Sequence, residues 1–355
     1  MKCVQRTVGT SVLVVLSSGS AWPQLPAPPP PAAASAAPAV APKWKFENVV
    51  ASSGVDFLHT FGDDQFNKIL EDTGSGVALI DYDGDGLEDL FLSSGQWVDG
   101  VSDPAFKAKT SGGRSRLYKN LGGMKFRDVT DEAGIHEHGF GMGAVVGDCD
   151  GDGDEDLYVL NWGANVLYRN DGGKFVDVTV LSGLAGPERL NGQVKWSVNG
   201  FFFDYDRDGD LDLWVSNYLA FDPAFHDPSL PKEYPYEGPE SYRGQQSLLY
   251  RNDGDLKWTD VTGAAGLANP GGKSMGAVAC DFDCDGDLDV FEAQDSMANV
   301  LWRNDGGKFV EVSAEAGVAL DRNGASMASM HGTVGDVDGD LRFDLFVPNL
   351  AEGCL

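Results

Sequence analysis

The sequence is poor in base, in thiol and in imidazole, and beyond its first residues it has no long apolar run. Its 26 Lys and Arg stand against 55 Asp and Glu, a formal net charge of −29 over 355 residues. A surface this short of cations argues against nucleic acid as a partner and against docking on anionic lipid, since both need an excess of Lys and Arg. Five cysteines in a chain of this length are no disulfide framework. Cys280 and Cys284 are spaced for a local bridge as readily as for two free thiols, while Cys3, Cys149 and Cys354 stand apart. The histidines, His59, His136, His138, His226 and His331, are scattered except for His136-Glu137-His138, which lacks a third ligand in register for zinc. No nucleophile elbow, phosphate loop or H-E-x-x-H motif is present. Gly139-Phe140-Gly141-Met142-Gly143 is glycine-rich but leads into a strand, which is not how a phosphate cradle is built. The chain therefore reads as a non-enzyme. A packed core is expected all the same, because 42% hydrophobic and 23% charged residues are ordinary globular values.

The N-terminus carries Lys2 and Arg6, then Val12-Leu13-Val14-Val15-Leu16, then small residues up to Ala21. This pattern predicts a secretory signal peptide over residues 1–21. Its apolar run is far shorter than the ~20 residues of a membrane-spanning helix, and no later stretch approaches that length, so no membrane span is expected. Residues 22–43 mix eight prolines with alanine, a linker composition that favours extended polyproline II and cannot bury a core. The expected location is secreted, periplasmic or cell-surface.

Self-comparison of residues 44–355 finds five related units, near 75–130, 141–179, 198–262, 275–313 and 331–355. Each has an apolar run, an acidic loop and a second apolar run, as in Gly143-AVVGDCDGDGDEDLYVL. Four continue into a second block, such as Leu167-YRNDGGKFVDVT, followed by a small residue and glycine. Short runs rich in Val, Leu, Phe and Tyr between Gly and Asp clusters predict strands. Asn-Asp-Gly tolerates positive φ and predicts a hairpin. One unit is thus four strands, the first apolar on both faces as an innermost strand should be, the last alternating as an outer strand should. The fold class that follows is all-β, a β-propeller of four-stranded blades with four complete blades and a partial fifth. Residues 46–50 match a stray fourth strand, which predicts ring closure on the last blade. Because the fifth unit stops after two strands, the expectation is part of a larger ring.

The acidic loops follow D-x-D-x-D-x-x-x-D. The proposed metal ligands are Asp81, Asp83, Asp85 and Asp89; Asp148, Asp150, Asp152 and Asp156; Asp204, Asp206, Asp208 and Asp212; Asp281, Asp283, Asp285 and Asp289; and Asp336, Asp338, Asp340 and Asp344. Carboxylates at alternate positions of a tight turn converge on one point, and a seventh-position carbonyl, such as that of Leu87 or Asp154, adds another oxygen. An all-oxygen flexible set suits Ca²⁺ better than Mg²⁺. Glycine at the sixth position, Gly86, Gly153, Gly209 and Gly286, permits the turn. The fifth loop has Leu341 there and is expected to bind weakest. An EF-hand is excluded, since position twelve is Leu92, Val159, Val215, Glu292 and Val347 and the flanks are strands.

These loops, with the L-Y-R-N-D-G-G-K-F-x-D-V-T blocks, resemble FG-GAP (VCBS) repeats, and the order of blocks is similar to cartilage-acidic-protein-like proteins associated with an ASPIC/UnbV domain. The resemblance spans residues 44–348. It implies an integrin-α-like propeller, usually seven-bladed, with calcium held by the aspartates named above. No ASPIC/UnbV segment is found here. The functional expectation is a calcium-binding adhesion module for a protein or polysaccharide at a cell surface or matrix. The alternatives are a calcium-dependent carbohydrate lyase or hydrolase, whose carboxylates would be the catalysts, or a purely structural repeat domain. Residues 217–246, an insertion with Tyr218, Phe221, Phe225, Tyr234, Tyr236 and Tyr242, are composed either for a ligand or for a lid on the propeller itself. The loop at 96–113, with Trp97 and Phe106, is a second candidate.

Overall fold

Four times along the chain, four short strands pair in sequence order into one antiparallel sheet. The computed structural model describes residues 46–63, 67–107, 113–136, 139–225, 236–267, 269 and 271–350. The proposed signal peptide and linker lie outside these residues, as do Cys3, His138, His226, Tyr234 and Cys354. The first sheet is Val77–Ile80, Asp89–Leu92, Arg116–Asn120 and Phe126–Asp128. The second is Phe140–Gly147, Asp156–Trp162, Val166–Asn170 and Phe175–Asp177. The third is Ser197–Phe203, Asp212–Asn217, Leu248–Asn252 and Trp258–Asp260, and the fourth Ser274–Cys280, Asp289–Gln294, Val300–Asn304 and Phe309–Glu311. A fifth unit contributes the pair Thr333–Gly335 and Asp344–Phe346. Only short helical turns accompany them, so the chain is all-β, with repeated four-stranded blades of a β-propeller.

The core lies between sheets, as that architecture requires. Ile80, Phe91 and Leu117 of the first sheet pack against Leu157, Val159 and Tyr168 of the second. Tyr158, Leu160 and Leu167 meet Leu213, Val215 and Leu248, and Phe203, Trp214 and Leu249 meet Val290 and Trp302. The strands covered on both faces are the second of a sheet, Asp212–Asn217 and Asp289–Gln294 being buried throughout, whereas the first strand of the first sheet leaves Val77 and Leu79 exposed.

The repeated D-V-T has a local reason. The Thr hydroxyl at its end accepts the N–H that opens the third strand, from Leu117 to Thr130, Leu167 to Thr179 and Leu249 to Thr262, at 2.9 to 3.0 Å. Ser313 does the same for Leu301 at 2.7 Å. The Asp two residues before the Thr accepts its N–H, as Asp177 does for Thr179 at 2.9 Å. The glycine that follows sits at positive φ, +88° at Gly134 and +76° at Gly183, where a side chain is strained.

The stray N-terminal strand is corrected. Residues 46–49 carry no strand, and Val50–Ser53 is a helical turn capped by Gly54 at φ +87°. It docks on the first sheet rather than closing a ring on the last: Lys125 donates to the Ser52 carbonyl, and a Cβ on Gly54 would lie 2.4 Å from the Phe126 oxygen. Gly134 stands in the same relation to Phe175, and Gly266 to Phe309. The segment thus takes the place that a preceding blade's tail takes elsewhere, because the turn and its glycine, not a strand, are what the next blade receives.

Candidate metal centre

Each acidic loop joins the first and second strands of a unit, so all five open on one face of the propeller. The backbone turns twice through positive φ, at the fourth and sixth loop positions. Gly84, Gly151 and Gly339 take the fourth place, but so do Arg207 at +63° and Cys284 at +63°. The sixth is Gly86, Gly153, Gly209 and Gly286, then Leu341 at +69°. A non-glycine residue there costs ~1 kcal/mol. In every loop the first aspartate accepts the sixth residue's N–H, from Gly86, Gly153, Gly209, Gly286 and Leu341, at 2.9 to 3.1 Å. The third aspartate accepts the N–H two residues on, as Asp208 does for Asp210 at 3.0 Å.

The fourth aspartate of a loop is set apart. Asp212 is fully buried, and its two oxygens accept Tyr205 N–H at 3.0 Å and Asn252 N–H at 2.9 Å. Asp89, Asp156 and Asp289 repeat this pattern, each joining the loop to the third strand of its own sheet. Burial pushes Asp212 up to about 7 and Asp89 up to about 6 against the hydrogen bonds that favour the charged form. Asp344 is exposed and accepts Val337 N–H at 2.9 Å.

Within each loop, three carboxylates bring one oxygen apiece to within 4.8 Å of one another: Asp81, Asp83, Asp85; Asp148, Asp150, Asp156; Asp204, Asp206, Asp212; Asp281, Asp283, Asp285; and Asp336, Asp338, Asp340. Asp89, Asp152, Asp208, Asp289 and Asp344 stand outside these triplets. The residues fit a hard cation on a specific observation. Asp81 Oδ1, Asp83 Oδ1, Asp204 Oδ1 and Asp206 Oδ1 are buried without a hydrogen-bond partner, a state that charged oxygens avoid unless a cation satisfies them. In the first loop a cation of the protein's own is at hand, since Lys119 Nζ pairs with Asp83 and, at 3.0 Å, with Asp85. The equivalent Arg169, Arg251 and Arg303 pair with Asp171, Asp253 and Asp305 two residues on. Lys119 has Leu121 at that place and turns to the loop instead.

Residues that were not singled out from sequence sit between the loops. Glu155 of the second loop accepts Asp81 N–H at 2.9 Å, and Arg207 of the third pairs with Asp287 of the fourth at 2.8 Å. The asparagines of the L-Y-R-N blocks, Asn170, Asn252 and Asn304, are buried against the preceding sheet's loop. Their recurrence in register was the available signal.

The strand-two-to-three and unit-to-unit connections lie on the opposite face. Within the insertion at 217–246, the described Tyr218, Phe221 and Tyr242 are buried with Trp196, Phe140 and Leu70 and pack on the propeller itself. Phe225 is exposed and Tyr236 donates to Asp72. Trp97 donates to the Asp103 carbonyl at 3.1 Å under Lys107, 4.2 Å from the ring centre. A cavity of about 770 Å³ on this face is lined by Asn191, Arg243, Gly244, Gly271, Lys273 and Met297. Cys280 and Cys284 are free thiols, as is Cys149. Among the described residues no helix is long and apolar enough to cross a membrane, and no histidine joins a metal-binding cluster.

A family profile described as FG-GAP-like repeat matches residues 148–215 and 281–347, each span running from one aspartate loop through the next unit's second strand. Cartilage acidic protein 1 of Mus musculus is 26% identical over 323 residues, covering 84% of this chain and 44% of that protein. The Homo sapiens protein is 25% identical over the same length, covering 84% and 43%. The chain thus spans less than half the length of the curated relatives it matches. A solved structure described as an Agrocybe aegerita lectin that recognises non-reducing terminal N-acetylglucosamine aligns at TM-score 0.40 and 15% identity, over 76% of this chain and 59% of the other. With its in-phase aspartate loops and matching blocks, the chain carries FG-GAP-like repeats over residues 148–215 and 281–347 and is similar over most of its length to cartilage acidic protein 1.

Proposed function

We propose that the protein is an exported, calcium-stabilised propeller that acts as a binding or adhesion module for a protein or polysaccharide, with the loop aspartates as calcium ligands. The buried, unpartnered oxygens of Asp81, Asp83, Asp204 and Asp206 carry the calcium reading. Carboxylates held this close repel one another, so the cation contributes folding free energy that the metal-free chain lacks. The binding reading is supported by the division of labour between faces. Metal loops occupy one face, while the long connections and the cavity with Arg243 and Lys273 occupy the other. Arg243 is exposed and makes no ion pair among the described residues.

One experiment tests both parts: thermal unfolding and a glycan and matrix-protein array, each with calcium and with chelator. A site held at a hundredfold its Kd adds about 2.7 kcal/mol, so three such sites should raise the melting temperature by more than ~10 °C. An unmoved transition overturns the calcium part. Blank arrays overturn the binding part and leave a structural repeat domain.

A further inference from the structure

Three of the five aspartate loops are completed by the blade that follows them. The Asn304 side chain donates through Nδ2 to the Tyr205 carbonyl of the third loop at 2.8 Å, 99 residues away, and to Leu288 O of its own loop at 3.2 Å. Asn252 reaches back to Cys149 O of the second loop at 2.9 Å, and Asn170 to Tyr82 O of the first at 2.8 Å. In each case the bonded carbonyl belongs to the second loop position, between the first two proposed ligands. The side chain at that position goes the same way: Tyr82 stacks on Phe175 and Tyr205 on Phe309, both with ring centres about 6 Å apart.

The following hairpin also covers the ligands. A Cβ on Gly173 would lie 3.3 Å from Asp83 Cβ, and one on Gly307 would lie 3.5 Å from Asp206 Cβ. The unpartnered buried oxygens occur in these two loops, the first and the third, where that second hairpin glycine is present. After the second loop the position is Asp255, and none of that loop's oxygens is so orphaned. Asn120, in the first blade, donates to Glu88 O of its own loop at 2.9 Å and to no other sheet among the described residues.

We propose that Asn170, Asn252 and Asn304, with the glycine hairpins beside them, are positioning residues for the cation site of the preceding blade, so that calcium in one loop and packing of the next blade are a single coupled equilibrium. The proposal rests on the calcium reading above. Its physical basis is that a hydrogen bond to the loop backbone orients the carboxylates on either side, as outer partners of metal ligands generally do. A cation held by these carboxylates would in turn favour the loop arrangement the asparagine holds, and linkage makes the effect reciprocal.

The test is a calcium titration by calorimetry on the full chain and on Asn304→Ala, Asn170→Ala and Asn120→Ala. The first two should each weaken one site per molecule by 10-fold or more, and Asn120→Ala by less than about twofold. A wild-type chain that takes up no calcium sinks the calcium reading and the coupling with it. A wild type that binds while Asn304→Ala binds equally well sinks the coupling alone. Should Asn304→Ala fail to fold, Asp206→Asn removes one carboxylate of the third loop's triplet with the asparagines intact. Calcium should then no longer slow amide exchange at residues 305–308 of the fourth blade as it does in the wild type. Unaltered protection there overturns the proposal.

Discussion

The third and fifth aspartate loops share one nine-residue skeleton and differ in nearly everything around it. In the third, Asp204 and Asp206 are half-buried, Asp212 is fully buried, and the fourth blade's Asn304, Phe309 and Gly307 close over the turn. In the fifth, Asp336, Asp338, Asp340 and Asp344 are all exposed, and among the described residues no asparagine reaches Val337 O. In both, the first and third aspartates accept the same two backbone N–H groups within the loop. The comparison teaches that the loop motif specifies a turn, whereas a desolvated, cation-demanding site needs a second blade.

The largest effect should come from the fourth aspartates. Asp212→Ala leaves two buried N–H groups without an acceptor and is expected to cost about 3–5 kcal/mol, whereas Asp344→Ala at its exposed position should cost under about 1 kcal/mol. Urea unfolding of both variants in chelator checks this, and equal losses would erase the distinction between the loops. Next in size is Lys119→Met. It removes the cation that now rests on Asp83 and Asp85 and should raise calcium affinity at the first loop about fivefold, read as one tightened site in calorimetry. A weakened site would mean the lysine orders the ligands rather than competing. The smallest change is Leu341→Gly, which relieves a positive φ and should stabilise the metal-free chain by ~0.5–1 kcal/mol. If it also brought the fifth loop to the affinity of the third, burial by a following blade would not be what separates them.

Much of this was legible along the chain. The aspartate spacing and the sixth-position glycines encode the turn directly, because only neighbours within nine residues are involved. D-V-T is similarly local: Asp177, Val178 and Thr179 act on the third strand of their own hairpin. Other readings needed the interior. The fourth aspartate looked like one more ligand, and Asp212 does lie in its loop's carboxylate triplet, but only the interior shows that both its oxygens also accept N–H groups where two strands meet. Residues 217–246 suited a ligand and a lid equally, and only the interior shows that Tyr218, Phe221 and Tyr242 spend their apolar area on the propeller itself. Phe46-Glu47-Asn48-Val49-Val50 matched a strand block, and what folds from it is a turn on the first sheet.

By itself the sequence determined the blade, since alternation, turn glycines and carboxylate spacing act over a few residues and repeat in register. It also determined that cations rather than polyanions suit the molecule. Only the tertiary structure decided which loops are buried, which oxygens lack a partner and which blade each asparagine serves. Those depend on contacts between residues 88 to 103 positions apart, across interfaces whose register no local periodicity records.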